Sequence, residues 1–387
     1  MTEFVQRLGC THCETHFLAS DLHTVCPHDG RPLEIRYDLE RLASARPGLS
    51  WMQPELDSMW RYGLLLPVAA PPGFPSAGWT PLERHSGSEV ELYIKEEGAR
   101  RAGWGWNATA SFKDRGIGMA VAMAREFSLR TLSIPTQGNA GDSLVTFARA
   151  MGIGVYVAMP QSTPHPILDR VRALAETDPD LHLILAEGTI REAGAMLRKH
   201  LEGKEAFSVA TFAEPGWRIE GKKTMGLEIA EQLGWRLPDA IVYPTGGGTG
   251  ILGIWKAFQE LKALGCVTGP LPKMISIQSA ETTPLVDAMV SGAADSTPAE
   301  AGTTIATGLN VPYGIGHQRV LEIIRESGGD AIGVSESAIR AEMDSNPELC
   351  PEGAACIAAI DECRDRGLIG AGDTVVVLNT GSPAKYA

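Results

Sequence analysis

From about residue 88 the chain alternates short, continuous apolar runs with longer helical ones, and this alternation is what most restricts its fold. The apolar runs are ELYIK (91–95), TLSIP (131–135), GVYVAMP (154–160), LHLILA (181–186), DAIVYP (239–244), KMISIQS (273–279) and DTVVVLN (373–379). Between them lie DSLVTFARAMG, TIREAGAMLRKHL, KKTMGLEIAEQLG and ILGIWKAFQELKALG, several closing on the glycine that a helix C-terminus favours. A strand that is apolar along its whole length needs cover on both faces. Alternation with helices supplies that cover and predicts parallel sheets in an α/β protein. Gly, Thr, Ser or Asn follows the strand tips, the edge where such sheets bind ligands.

Composition narrows the function. Apolar residues make up 44% of the 387, enough for large cores. Asp and Glu outnumber Lys and Arg by 47 to 34, a formal net charge of −13. A nucleic-acid partner needs a basic face, so none is expected, although a locally positive pocket remains open. No run approaches the ~18 apolar residues that span a bilayer, so no membrane partner is expected either. The opening MTEFVQRLGC lacks the basic end and apolar stretch of a signal peptide, which places the expected location in the cytoplasm. Without such a signal, the seven cysteines do not predict a disulfide framework. Cys266, Cys350, Cys356 and Cys363 read as small buried hydrophobes.

Four loops carry candidate chemistry. In Asn107-Ala108-Thr109-Ala110-Ser111-Phe112-Lys113-Asp114-Arg115-Gly116, Lys113 stands at a predicted helix start, where the positive helix end lowers an amine's pKa and favours imine formation with a carbonyl. Thr245-Gly246-Gly247-Gly248-Thr249-Gly250 joins a strand to a helix. Its glycines let backbone amides converge on an anion, although it lacks the Lys of a P-loop and the spacing of a dinucleotide fingerprint. Thr136-Gln137-Gly138-Asn139-Ala140-Gly141 is again strand to helix, with Asn139 able to hold a ring oxygen and the turn able to hold a carboxylate. Thr380, after the last strand, can meet a ring nitrogen. An imine-forming lysine, a phosphate cradle, an amide and a neutral hydroxyl are together the parts that hold pyridoxal phosphate.

With these motifs the sequence resembles the fold-type II pyridoxal-phosphate enzymes (tryptophan synthase β-like), and threonine synthases most of all. NATASFKDRG is similar to their SFKDRG lysine motif, GNAG to their asparagine loop and PTGGGTG to their phosphate loop. MWRYGLLLP, WTPL, RIEGKKT and PEGAA follow in family order, so the resemblance runs through roughly the whole chain. It implies two doubly wound parallel-sheet domains plus a small N-terminal ribbon. Residues 1–35 are expected to form the ribbon, 36–114 with 206–387 the large domain, and 115–205 a small mobile domain. The resemblance implies that Lys113 is the Schiff-base and proton-transferring residue. Asn139, Gly246, Gly247, Gly248, Thr249, Gly250 and Thr380 would bind the cofactor, and Thr136, Gln137, Gly138, Ala140 and Arg218 the substrate. It further implies a homodimer and a small amino-acid substrate, phosphorylated if the enzyme turns O-phosphohomoserine and water into L-threonine and phosphate.

Three segments depart from the family pattern. Ala108-Thr109-Ala110 replaces the usual Pro-Thr-Gly, Thr136-Gln137 the usual Ser-Thr, and Glu214-Pro215-Gly216-Trp217 a stretch that usually offers Asn and Tyr. These changes leave open a serine/threonine dehydratase, or a cysteate-synthase-like enzyme acting on O-phosphoserine. A substrate phosphate needs cations. Arg115, Arg218, Lys222 and Lys223 are candidates, with Arg170 and Arg172 behind them. In the N-terminal segment, Cys10-x-x-Cys13 and Cys26-x-x-Asp29 have the spacing of a zinc ribbon in which Asp29 stands for the fourth cysteine. Structural zinc held by Cys10, Cys13, Cys26 and Asp29, or by His28 in place of Asp29, is therefore a candidate. His12, His16 and His23 read as surface residues.

Overall fold

A computed structural model describes residues 1–86 and 89–386. The N-terminal segment is an antiparallel three-stranded sheet of β1 (Val5–Cys10), β2 (His16–Phe17) and β3 (Leu33–Tyr37), in the order β2-β1-β3. Its third strand ends at Tyr37, two residues past the expected ribbon limit. After it come β4 (Leu82–Arg84), β5 (Glu91–Glu96), β6 (Thr131–Pro135), β7 (Gly154–Pro160), β8 (Leu181–Ala186) and β9 (Phe207–Ser208). The last strands are β10 (Ala240–Pro244), β11 (Lys273–Ser279), β12 (Ala331–Val334) and β13 (Thr374–Asn379).

Two larger sheets result. The six-stranded one runs β12-β11-β10-β13-β5-β4, parallel except for the antiparallel edge pair β4–β5. The four-stranded one runs β8-β7-β6-β9 and is parallel throughout. β9 lies two residues beyond the expected limit of the small domain. All seven apolar runs of the sequence are strands of these sheets. β10, β13 and β6 end on the loops that bear the phosphate, Thr380 and asparagine motifs, so three strand tips from two sheets converge where open α/β sheets bind ligands.

The helix Lys113–Glu126 crosses the expected boundary at residue 114. It packs on the helices Trp217–Gln232 and Asn139–Ala150 and so ties both sheets to the lysine. Gly221 permits the first of these contacts, because a Cβ there would lie 1.9 Å from the Arg115 carbonyl oxygen. Beneath the crossing sits a fully buried charge network. The Arg115 guanidinium spans Glu97 (2.7 Å) and Glu228 (2.5 Å), and Lys95 reaches Glu228 at 2.7 Å. Burial alone would raise Glu228, but Arg115 and Lys95 outweigh it and hold the carboxyl down at about 2. Among the described residues no helix is long and apolar enough to cross a membrane. Cys350, Cys356 and Cys363 are buried as expected, whereas Cys266 is only half-buried. All seven cysteines are free.

Candidate active site

Two adjoining cavities meet at Lys113, Asn139, Thr211, Arg218 and Gly247. The inner one is floored by residues 246–250 and reaches Thr380, Glu352 and Tyr386. The outer one, about 380 Å³, is walled by Thr136, Gln137, Gly138 and Ala140 on one side and by the 307–315 segment on the other. The structure thus brings every proposed cofactor and substrate residue to one place.

Each group is positioned by its local backbone. Lys113 is the first residue of its helix, and its amide is held by Ser111 Oγ at 3.3 Å. Burial in the cleft pushes its amine down to about 8, Arg218 adds to the shift, and Glu352 opposes it. The glycine loop opens the helix Thr249–Ala263 with Gly248 at φ +89°, a left-handed conformation that suits glycine. His317 fixes the loop from behind, its Nε2 lying 3.0 Å from the Gly246 carbonyl and its Nδ1 2.8 Å from Ser296 Oγ. The Thr136 hydroxyl accepts from the Gly138 amide at 3.1 Å and shapes the asparagine turn. Asn139 Nδ2 donates to Tyr386 Oη at 3.1 Å. Thr380 Oγ1 lies 3.6 Å from Cys350 Sγ.

Arg218 Nη1 donates to the Val209 carbonyl (3.2 Å) and to Thr211 Oγ1 (3.1 Å), and among the described residues its Nε has no partner. The other basic candidates are spent elsewhere. Arg115 is fully buried in the Glu97–Glu228 network, and Lys223 pairs with Glu220 (2.6 Å) and Glu260 (2.9 Å). Lys222 donates to the Phe112 carbonyl, Arg170 to Asp142, and Arg172 to Asp169. The expectation that Arg115, Lys222 or Lys223 grips a substrate phosphate is corrected accordingly: of the six cations, only Arg218 lines the cavities.

Sequence reasoning passed over Thr211, Glu352, Tyr386, His317 and the 307–315 segment as site residues. PEGAA marked the neighbourhood of Glu352. The others stand in loops or helix starts without periodicity. Glu352 Oε1 accepts from the Gly308 amide at 2.8 Å, and its carboxylate also takes a hydrogen bond from the Tyr386 hydroxyl.

These residues fit pyridoxal phosphate on this structure's own terms. Among the described residues, Asn139 Oδ1 and Arg218 Nε are buried polar atoms without partners, and both side chains line the inner cavity. Among the described residues no acceptor takes the amides of Gly246, Gly247 and Gly248. Such groups call for a polar ligand. A loop of free amides at a helix N-terminus fits a phosphate, a depressed lysine amine fits an aldehyde, and the amide and hydroxyl at the far wall fit a ring oxygen and nitrogen.

The topology and this lysine-bearing cleft define a fold-type II cofactor enzyme, and residues 74–381 match the family described as pyridoxal-phosphate dependent enzymes, to which the chain belongs. Within it the chain is a threonine synthase-like lyase that uses pyridoxal phosphate. It is 33% identical to a threonine synthase of Methanosarcina acetivorans over 98% of this chain and 92% of that relative. It is 29% identical to the threonine synthase of Methanocaldococcus jannaschii over 97% of this chain and 92% of the relative. Among solved structures it resembles the processed threonine deaminase isoform 2 of Solanum lycopersicum, with TM-score 0.63 and 22% identity over 79% of this chain and 84% of that one. Maize serine racemase matches with TM-score 0.63 and 19% identity over 79% and 88% of the two chains. These last two likenesses speak for the fold.

Proposed function

We propose that the enzyme converts O-phosphohomoserine and water into L-threonine and phosphate. The observation that carries this reading is Arg218, a buried cation with an unpartnered Nε in the wall between the lysine cavity and the substrate-sized cavity. An anionic group on the substrate would find its charge there. The near full-length likeness to chains named threonine synthase supports the same reading.

When bound, pyridoxal phosphate supplies an electron sink for charge developing at the amino acid's carbons. The chain does the rest. Residues 246–249 would hold the cofactor phosphate through their amides, and Asn139, oriented by Tyr386, would hold the ring oxygen. Thr380, on the wall of the inner cavity, would offer the ring nitrogen a neutral hydroxyl. Residues 136–140 hold the substrate carboxylate. Lys113 Nζ, where the two cavities join, would accept and return protons at the substrate carbons. The 307–315 segment forms one wall of the outer cavity.

Phosphate release from O-phosphohomoserine and from O-phosphoserine, with amino-acid analysis of the products, tests the reading. Threonine appearing with phosphate is the expected result. Glu214 favours a second reading. Its buried carboxyl is pushed up to about 7 by burial against the opposing pull of Arg218, and in its ionised form, above that pH, it offsets the cation's charge. An unphosphorylated hydroxy amino acid then suits the pocket, and a 2-oxo acid plus ammonia from serine or threonine would mark a dehydratase.

Arg218→Ala should raise KM for the phosphorylated substrate by about 10- to 100-fold, the value of one to two charge-assisted hydrogen bonds. Cofactor content should be measured alongside. An equal rise for an unphosphorylated amino acid would remove Arg218 from phosphate recognition. A second expectation concerns pH. Lys113 attaches cofactor as the neutral amine, so the rate at which apoenzyme acquires the bound-cofactor absorption should climb with pH and level off above about 8. An ordinary lysine would keep climbing towards its usual value of 10.5, and a rate still rising there would contradict a depressed Lys113.

A further inference from the structure

We propose that Cys10, Cys13, Cys26 and Asp29 form a structural zinc site. Their ligand atoms all lie within 4.8 Å of one another. Four ligands around tetrahedral zinc, at Zn–S of about 2.3 Å and Zn–O of about 2.0 Å, put sulfurs about 3.8 Å apart and sulfur and oxygen about 3.5 Å apart. Cys13 Sγ and Cys26 Sγ are 3.6 Å apart, and Cys10 Sγ stands 3.5 and 3.6 Å from the two Asp29 oxygens. A disulfide would need about 2.05 Å between sulfurs.

The backbone around the cluster gives independent support. The amides of His12 and Cys13 both point at Cys10 Sγ, at 3.4 Å. The amides of His28 and Asp29 likewise donate to Cys26. Two turns, each aiming two N–H groups at one sulfur, favour a metal-bound thiolate in the way that outer hydrogen bonds tune metal ligands. The Arg31 amide holds Asp29 Oδ1 at 2.9 Å and fixes the carboxylate.

The fourth ligand is Asp29 and not a histidine. The His28 ring stacks on Phe17 with centroids 6.3 Å apart, and His12 Nδ1 meets Gln318 Nε2 at 3.2 Å. His23, expected on the surface, is half-buried and tilted against Phe17 at 4.8 Å. Four protein ligands close the coordination shell, which is the form of a structural site, whereas catalytic zinc keeps an open position. What the site would hold is the ribbon's grip on the enzyme. β3 passes Tyr37 to Glu220 (2.7 Å) in the helix Trp217–Gln232, which bears Arg218, and Arg31 pairs with Asp295 at 2.9 Å. Carboxylate in place of a fourth thiolate should make zinc retention weaker than in an all-cysteine ribbon.

The test is metal analysis of the reduced, full-length holoenzyme purified with zinc present. One zinc per chain is expected. Replacement by cobalt(II) should give a near-ultraviolet thiolate-to-cobalt band and the intense visible bands of tetrahedral coordination. Asp29→Asn should release zinc to a chelator about 10-fold faster or more, and Asp29→Cys should retain it more firmly than the wild type. The last variant keeps the test decisive if Asp29→Asn folds poorly. Zinc at buffer level with titratable thiols and no tetrahedral cobalt spectrum would overturn the proposal. So would a Cys13–Cys26 disulfide persisting under reductant, or zinc retention that Asp29→Asn and Asp29→Cys both leave unchanged. None of these readouts depends on which amino acid the active site turns over.

Discussion

Lys113→Ala is expected to lower turnover by about 10³-fold or more, because one change removes both the covalent anchor and the proton-transferring base. Depressed lysines are not rare in this chain, so low pKa alone does not select this one. Lys95, Lys222 and Lys385 are also pushed down by burial. Their surroundings rule them out. Lys95 is paired with Glu228, and Lys385 is tied to the Thr109 carbonyl and Asp142. Lys222 donates to the Phe112 carbonyl and lies 3.2 Å over that ring. Lys113 alone of the four lines both cavities. Borohydride treatment should therefore fix the cofactor to the peptide bearing Lys113 in the wild type, and should leave Lys113→Ala without attached cofactor. Label on the Lys222 peptide, or full activity in the variant, would refute the assignment.

The contrast between these lysines marks how far the sequence could be read. Apolar runs such as TLSIP, GVYVAMP and LHLILA announce strands because a parallel sheet buries both faces, and they occupy β6, β7 and β8 residue for residue. Leu82–Arg84, Phe207–Ser208 and Ala331–Val334 carry too few residues to show any period. The lysine, asparagine and glycine loops are readable because each opens a helix on small residues, and the latter two do so directly after a strand tip. Tyr386 and Glu352 are not, since their place beside Asn139 and Gly308 comes from chain closure over long separations. The same holds for the cations. RIEGKKT offers Arg218, Lys222 and Lys223 in one stretch, and only the fold tells which of them still has a free donor. Lys223 finds Glu260 and Lys222 finds the Phe112 carbonyl, while Arg218 Nε finds nothing.

Arg115 puts that distinction to a quantitative test. It lies two residues from Lys113 within the family motif, and as a phosphate ligand its loss would appear in KM. The structure assigns it to stability instead. Its guanidinium forms paired hydrogen bonds with Glu97 (2.7 and 2.8 Å) and with Glu228 (2.5 and 2.7 Å), all at zero exposure. With Lys95 the network holds two positive and two negative charges. Arg115→Met leaves Glu97 and Glu228 facing Lys95 alone, a buried net negative charge. Breaking a buried pair in this way costs about 3–5 kcal/mol, a large part of the roughly 5–15 kcal/mol that keeps a domain folded. The variant should therefore melt far below the wild type and be recovered poorly in soluble form. Neutralising one acid with it, as in Arg115→Met with Glu97→Gln, should regain part of the loss, because the remaining Lys95–Glu228 pair is again balanced. Arg115→Lys should fall between them, keeping the charge without the two-sided fork. The pH dependence has a fixed sign. Glu228 is held at about 2, below the ordinary glutamate value of 4.5. Its contribution is complete above about 4.5 and is lost as pH falls towards 2, so the wild type should lose more stability across that window than the double variant. Unchanged melting with a raised KM for phosphorylated substrate would return Arg115 to the active site.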